Sequence, residues 1–230
     1  FFKKRFLKVN LGARPEVIPE KCIKCGDCEK ICAAKAIDRS KKGVPEFDYG
    51  SPGRSQVDFD LSQMIRKHDI HIRLDALVHI YLEDWKEQID RTVESCPDSM
   101  NLVYPSSDIR LEKVIKVTRA QAVARCGDAL DYAIRKAAGK NIAVGYLASD
   151  TTRANWDYLV QVVKTALSHG AQRLGVADTT GCVLPQAFKD LVSKVRLLVG
   201  DALPIDIHCH NDYGLALANT LAGVDGGATI

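Results

Sequence analysis

The sequence lacks a long apolar run. No stretch of its 230 residues approaches the roughly 18 to 20 consecutive apolar residues that a membrane-spanning helix needs, and no secretory signal is visible. We therefore expect no membrane association and a cytoplasmic location. A strong charge of one sign is also missing, because 32 basic side chains face 29 acidic ones and leave a formal net charge of +3. That balance is not typical of a nucleic-acid-binding protein, and we expect no nucleic-acid partner.

The sequence also lacks the cysteine pattern of a disulfide framework. Of the eight cysteines, four are clustered and four are scattered singly, which is unlike a small secreted disulfide domain and favours a reducing compartment. We expect Cys96 and Cys126 to act as small apolar side chains. The same interpretation applies to Cys182 and Cys209, although both of these lie in motifs.

The clustered cysteines have the spacing C-x2-C-x2-C-x3-C and are Cys22, Cys25, Cys28 and Cys32. This is the run of bacterial ferredoxins, in which thiolates hold a [4Fe-4S] cluster. A zinc site is the alternative, although zinc ribbons usually use two separated pairs, and thioredoxin-type chemistry needs only one pair. The fourth cysteine of such a run serves a second cluster in two-cluster ferredoxins, but no second run exists here. Either Cys32 completes the same cluster, or a remote thiol such as Cys96 does, or the cluster is incomplete.

The pattern of the chain changes near residue 50. Residues 1–49 resemble the first half of a ferredoxin module, and residues 50–57 form a Gly/Ser/Pro-rich linker or junction. Residues 58–230 alternate between strand and helix patterns, which predicts a parallel sheet with crossover helices. Five strands are recognised and an incomplete barrel of five or six parallel strands is expected, whereas a closed (β/α)8 barrel has eight.

The strongest functional signal lies between residues 204 and 219. Side chains two apart on a strand share a face, so His208 and His210 point the same way. Neutral imidazole is a common metal ligand, and strand ends are where α/β proteins keep their chemistry. A bare His-x-His would fit one packed histidine and one loop histidine equally well.

The longer string from residue 208, His-Cys-His-Asn-Asp-Tyr-Gly-Leu-Ala-Leu-Ala-Asn-Thr-Leu-Ala, resembles the signature of the pyruvate-carboxyltransferase-like TIM barrels. That family includes isopropylmalate, homocitrate, citramalate and Re-type citrate synthases. By this resemblance, residues 70–230 correspond to barrel strands three to seven, with strand eight just beginning. We therefore predict an α/β fold: a partial (β/α)8 TIM barrel with a small N-terminal ferredoxin-like iron-sulfur segment. Family members are commonly dimers, so the resemblance also implies a homodimer.

The resemblance assigns two metal ligands. His208 and His210 match the family's metal-binding imidazoles, and the divalent ion would be Zn, Mn or Mg. The family's first strand carries Arg-Asp-Gly-x-Gln, whose Asp binds the metal and whose Arg contacts substrate, and this sequence has no such motif. A further ligand ordinarily comes from strand eight, which this sequence only begins. No catalytic acid or base can be assigned to a residue.

Three further motifs match the family at predicted strand ends. Asp-Thr-Thr-Gly resembles the family's Asp-Thr-Val-Gly, which implies that the Thr179 hydroxyl binds the substrate carboxylate, with a purely structural turn as the alternative. A Ser-Asp pair implies that Ser107 also binds substrate. Where the family has Glu-Asp-x-x-Arg, Ser149 replaces the acid. We expect Asp150 and Arg153 to form a structural ion pair at a helix N-terminus.

The resemblance implies acetyl-CoA and a 2-oxo acid as substrates of a Claisen-type condensation, in which the metal polarises the keto group. Gly145 offers no long polar side chain on its strand, which slightly favours a homocitrate or isopropylmalate synthase. A metal-dependent aldolase or lyase of the same superfamily is an alternative. So is a ferredoxin-like electron-transfer protein. The first residue is not Met and the last residues predict the start of a strand, so an inactive join of two gene fragments is a further hypothesis.

Overall fold

The computed structural model describes residues 46–68, 72–201 and 203–229. The predicted iron-sulfur ligands, Cys22, Cys25, Cys28 and Cys32, lie outside the described residues. Within the described part, no helix is long and apolar enough to cross a bilayer.

Strands and helices alternate along the described chain. They are β1 (Glu46–Asp48), α1 (Gln56–Lys67), β2 (Arg73–His79), α2 (Trp85–Glu94), β3 (Ser99–Pro105), α3 (Arg119–Ala137), β4 (Ala143–Ser149), α4 (Trp156–Ser168), β5 (Arg173–Asp178), α5 (Pro185–Val199), β6 (Ile205–Cys209) and α6 (Ala216–Asp225). Short helical turns follow β3 (Asp108–Arg110 and Leu111–Ile115) and β4 (Thr151–Arg153).

The six strands form one parallel sheet in the order β1-β2-β3-β4-β5-β6, which confirms the predicted partial (β/α) barrel. The sequence pattern predicts five strands and does not reveal β1. That strand has three residues, in which Phe47 pairs with Leu74 of β2, and it is too short to show an alternating pattern. The sheet thus begins before the predicted junction at 50–57. The division of the chain into residues 1–49 and 58–230 stays a prediction.

The outer face of the sheet carries the main hydrophobic core against the helices. Alternate strand residues point to this face because the side-chain period of a strand is two. The outer-face residues of β2, β3 and β4 are buried, and they are Leu74, Ala76, Val78, Met100, Leu102, Tyr104, Val144, Tyr146 and Ala148. The helices begin at defined caps, as where Thr118 and Gln121 form a capping box at α3.

The cysteine expectations are met in part. Cys126 is buried in the core and Cys209 packs against it, as expected for small apolar side chains. Cys96 and Cys182 are exposed, so that interpretation is wrong for them. Cys96 follows the end of α2 in a left-handed conformation, with φ of 55°, and Cys182 lies in the loop after β5. The burial of a cysteine depends on which elements pack around it, and the residue type alone does not determine this.

The inner face of the sheet has an apolar middle and a charged end. Leu77, Val103, Leu147 and Ala177 form the apolar part. The charged end lies towards the amino ends of the strands and is centred on Arg173. This side chain contacts the carboxylates of Glu46, Asp75 and Asp206 and the hydroxyl of Ser99, each of which belongs to a different strand. Arg173 Nε lies 2.9 Å from Asp206 Oδ2, and Arg173 Nη1 donates to Ser99 Oγ at 2.6 Å.

The charged cluster holds more carboxylates than cations. Burial raises the pKa of Asp75 to about 7, against the opposing effects of Arg173 and the Ser99 hydrogen bond. Burial also raises the pKa of Asp206, and Arg173 again opposes the shift. The cluster therefore favours a proton on Asp75 near neutral pH.

Asp75→Asn should flatten the pH dependence of stability. Folding raises the pKa of Asp75 from 3.8 to about 7, so the folded state binds this proton more tightly than the unfolded state does. The resulting stability is complete below about pH 4 and is lost as the pH rises towards 7, by at most about 1.4 kcal/mol per pH unit. Urea unfolding across this range should show a smaller decline in the variant. Asp157→Asn, which removes an exposed carboxylate from α4, is the control, and an unchanged slope in Asp75→Asn would contradict the assignment.

Candidate functional site

The carboxyl ends of the parallel strands bring the predicted site residues to one edge of the sheet, which is where barrel enzymes bind substrate. The predicted site residues Ser107, Thr179, His208 and His210 lie at or just after the ends of β3, β5 and β6, and His79 and Asp150 lie at or after the ends of β2 and β4. Ala177 of β5 pairs with His208 of β6, so the segments that carry Thr179 and the histidines are direct neighbours.

His208 and His210 lie side by side, with ring centroids 5.2 Å apart. His208 is half-buried and His210 is exposed. Burial lowers the pKa of His208, and His210 lowers it further, so the imidazole of His208 is neutral and can bind a metal. Asp212 Oδ2 lies 3.9 Å from His210 Nδ1, where a carboxylate can orient the ring.

The two imidazoles fit part of a divalent metal site. Nitrogen donors of this kind suit Zn and mixed nitrogen and oxygen sites. Within residues 46–68, 72–201 and 203–229, no group of three or more His, Cys, Asp or Glu side chains is arranged to hold a metal ion. The described residues therefore offer two ligands, and the assignment of His208 and His210 to a metal stays a prediction.

Gly181 allows the loop after β5 to pack against the histidine segment. The N–H of His210 donates to the carbonyl of Asp178 at 3.1 Å, and the side chain of Asp178 accepts from the buried Asn219 at 3.0 Å. Gly181 has φ of 63°, and a Cβ there would lie 2.8 Å from the carbonyl oxygen of His210. A glycine fits here because the left-handed conformation disfavours a side chain and the close approach leaves no room for one.

The Thr179 hydroxyl is oriented by a backbone contact. The N–H of Asp150 donates to Thr179 Oγ1 at 2.8 Å, and Asp150 itself has a left-handed conformation with φ of 63°. Because Oγ1 accepts this bond, the hydroxyl proton remains available to another acceptor, such as a carboxylate oxygen. Thr179 is half-buried at the edge. Its predicted contact with a substrate carboxylate stays a prediction, and this geometry is compatible with it.

Asp150 is the centre of a buried polar network beneath Thr179. Arg153 donates to its two carboxylate oxygens from Nε and Nη2, each at 2.8 Å, so the expected ion pair is present. Ser107 also donates to Asp150 and is fully buried. The structure therefore places Ser107 below the open edge, where it supports Asp150. Its predicted direct contact with substrate stays a prediction.

The chain matches the HMGL-like family over residues 27–230, which is most of its length. The chain belongs to the HMGL-like family. Residues 14–37 of this HMGL-like chain also match the 4Fe-4S binding domain family, in the segment that contains the clustered cysteines.

The HMGL-like chain is similar to curated synthases. It is 37% identical over 200 residues to a 2-isopropylmalate synthase of Sulfurisphaera tokodaii, a match that covers 87% of this chain and 49% of the relative. It is 33% identical over 202 residues to a homocitrate synthase of Pyrococcus horikoshii, covering 88% of this chain and 52% of the relative. The chain thus spans about half the length of these relatives.

Solved structures share the fold of the HMGL-like chain. An HMG-CoA lyase from Acinetobacter baumannii, solved with coenzyme A and 3-methylmalate, matches with a TM-score of 0.60 at 24% identity, over 82% of this chain and 62% of the lyase. The carboxyl transferase domain of Rhizobium etli pyruvate carboxylase matches with a TM-score of 0.58 at 18% identity, over 80% of this chain and 32% of that one. These matches support the barrel fold.

Two residues at the site have features that the sequence patterns do not reveal. Ser149 is buried on the inner face, and its hydroxyl has no hydrogen-bond partner among the described residues. The other residue is His79, at the end of β2. It is half-buried, and its Nε2 lies 3.2 Å from Ser51 Oγ, while its Nδ1 has no partner in the described part of the chain. The sequence feature that could have indicated a role at the site is the position of His79 at the end of a strand.

Gly181→Ala should destabilise the site edge more than a matched change elsewhere. Gly139→Ala is the control, because Gly139 has φ of 74° and a Cβ there would meet no atom within 4 Å, so it should cost only the conformational strain of about 1–2 kcal/mol. Gly181→Ala should cost at least about 1 kcal/mol more, since its Cβ meets the His210 carbonyl. Urea unfolding of both variants measures the difference. Equal losses would show that the loop relaxes freely.

Proposed function

We propose that this HMGL-like chain is part of a metal-dependent enzyme that condenses acetyl-CoA with a 2-oxo acid in a Claisen-type reaction. The observation that carries the proposal is the pair His208 and His210 beside the oriented hydroxyl of Thr179. A 2-oxo acid needs both a metal for its keto group and a donor for its carboxylate. The relatives named as 2-isopropylmalate synthase and homocitrate synthase support this class of reaction.

The chain's own residues would bind and orient the 2-oxo acid. His208 and His210 would hold a divalent ion, which when bound supplies a Lewis acid for the keto oxygen. The Thr179 hydroxyl would donate a hydrogen bond to the carboxylate, while the N–H of Asp150 holds that hydroxyl in place. Below them, Leu77, Val103, Leu147 and Ala177 form an apolar layer on the inner face. We assign no catalytic base to any described residue.

The identity of the 2-oxo acid is left to experiment. The relatives include both isopropylmalate and homocitrate synthases, and the chain spans about half of each. We accordingly propose only the class of substrate. The metal identity, a homodimer and a cytoplasmic location also remain proposals from the sequence.

His208→Ala should abolish both metal binding and turnover. Thiol release from acetyl-CoA would be measured with 2-oxoisovalerate, 2-oxoglutarate, pyruvate and oxaloacetate, with and without Zn, Mn or Mg. We expect metal-dependent release to fall by more than about 100-fold, since loss of a residue that merely orients a ligand costs 10- to 100-fold. Bound metal would be measured in parallel by elemental analysis.

The control for this variant is His68→Ala, which removes an exposed imidazole at the end of α1. It should keep wild-type activity and metal content. Thiol release that survives in His208→Ala, or that needs no divalent ion, would contradict the proposal.

We infer separately that Cys22, Cys25, Cys28 and Cys32 ligate a [4Fe-4S] cluster, which the match of residues 14–37 to the 4Fe-4S binding domain supports. Anaerobically purified chain should contain about four iron atoms and equal sulfide. Cys25→Ser should lose them, whereas Cys182→Ser, which removes an exposed thiol outside the run, should not. Bound zinc in place of iron would contradict the inference, and iron without thiol release would favour electron transfer.

A further inference from the structure

The side chains of two arginines near the carboxyl edge of the sheet have no partner within the described residues. Arg54 is exposed in the loop between β1 and α1, and Arg110 is half-buried in the turn after β3. The side chain of every other arginine in the described part makes a hydrogen bond, an ion pair or a ring contact. An unpaired guanidinium offers five donors in a planar fork that matches a carboxylate or a phosphate.

His79 ends the strand that lies between the two strands preceding these arginines. It ends β2, which pairs with β1 on one side and with β3 on the other, so all three side chains belong to neighbouring strand ends. Arg54 and Arg110 both lower the pKa of His79, after the larger effect of burial, which indicates that both charges act on the imidazole. The Nδ1 of His79 is buried and has no hydrogen-bond partner within the described residues.

Within the described residues, neither arginine forms an ion pair with a neighbouring acidic side chain. Asp108, two residues before Arg110, is held by Arg119, with Nε and Nη2 at 2.7 and 2.6 Å from its oxygens. Asp58 is buried and accepts from the N–H of Ser51 at 2.9 Å. Helix α1 also begins here, at the N-cap Ser55, so its positive end adds to the local potential.

We propose that Arg54, His79 and Arg110 form a second anion-binding site at the carboxyl edge, separate from the position of Thr179 and the paired histidines. The site would take a phosphate or a carboxylate, because bidentate guanidinium contacts suit both. The assumption that this anion belongs to a substrate rests on the proposed function. The two sources of such a group are the phosphates of coenzyme A and the second carboxylate of a dicarboxylic 2-oxo acid.

The position of this site suits the far end of a substrate. Arg54, His79 and Arg110 lie at or after the ends of β1, β2 and β3, whereas Thr179 follows β5 and the paired histidines lie at the end of β6. Strand β4 separates the two groups in the sheet. An anion at the first site would therefore belong to a part of the substrate, or to a cosubstrate, that lies away from the reacting keto acid.

Calorimetric titration of the full chain tests the site without relying on turnover. The probes are coenzyme A and pantetheine, which lacks the phosphates and the adenosine, and 2-oxoglutarate and 2-oxobutanoate, which lacks the second carboxylate. In the double variant Arg54→Gln/Arg110→Gln, we expect the affinity for coenzyme A or for 2-oxoglutarate to fall about tenfold, as for the loss of charged hydrogen bonds. The affinities for pantetheine and 2-oxobutanoate should not change.

The matched control is Arg135→Gln, which removes the same charge from an exposed position on α3. It should bind all four probes as the wild type does. A loss confined to coenzyme A identifies the phosphate as the ligand, and a loss confined to 2-oxoglutarate identifies the carboxylate. The double variant should unfold at the wild-type temperature, since neither Arg54 nor Arg110 has a partner in the described part.

Three results would overturn the proposal: wild-type affinity of the double variant for both anionic probes, an equal loss in Arg135→Gln, or no binding of either probe to the wild type. Failure of the proposed function is distinguishable from these results. If no 2-oxo acid supports thiol release but the double variant still loses binding of coenzyme A or of 2-oxoglutarate, the anion site stands and the condensation does not.

Discussion

One buried guanidinium connects most of the sheet. Arg173 of β5 contacts side chains from β1, β2, β3 and β6, although β1 lies four strands away in the sheet. Such a contact requires the sheet to curve as in a barrel, so that its inner faces approach one another. Burying these charges costs desolvation energy, and the contacts are better explained as a device that selects this strand arrangement. The curvature is what brings the carboxyl ends of the strands together.

The candidate site depends on that convergence and on two backbone conformations. Asp150 and Gly181 both have positive φ values, and each brings a backbone group to the adjacent loop. The N–H of Asp150 donates to Thr179, and the absence of a side chain at Gly181 allows the His210 carbonyl to pack closely against it. Residues in such conformations persist only where the surroundings hold them, as Arg153 holds Asp150 here. The result is a fixed hydroxyl beside two imidazoles.

The edge divides into two chemical parts. On the β5 and β6 side, a neutral imidazole and a hydroxyl suit a metal and a keto acid. On the β1 to β3 side, Arg54 and Arg110 leave positive charge without a counterion among the described residues. Membership of the HMGL-like family is consistent with a substrate that reacts at the first part. The second part suggests that an anionic group lies some distance from the reacting carbon.

Local sequence was enough to predict much of this protein. The alternation of strands and helices, the shared face of His208 and His210, the turn that carries Thr179 and the cysteine run all depend on spacing over a few residues. The family resemblance followed from one continuous string, and the family match confirms it. The ion pair of Asp150 and Arg153 was also predictable, since its members are three residues apart.

Tertiary structure alone decided the rest. Strand β1 is too short to show a period, and it forms because β2 offers it a partner. The contacts of Arg173, the burial of Ser107 and the bond from Asp150 to Thr179 join residues that are distant in sequence, so no local pattern contains them. The unpaired state of Arg54 and Arg110 is likewise a property of their surroundings. The sequence by itself determined the element types and the motifs, and packing determined which side chains meet.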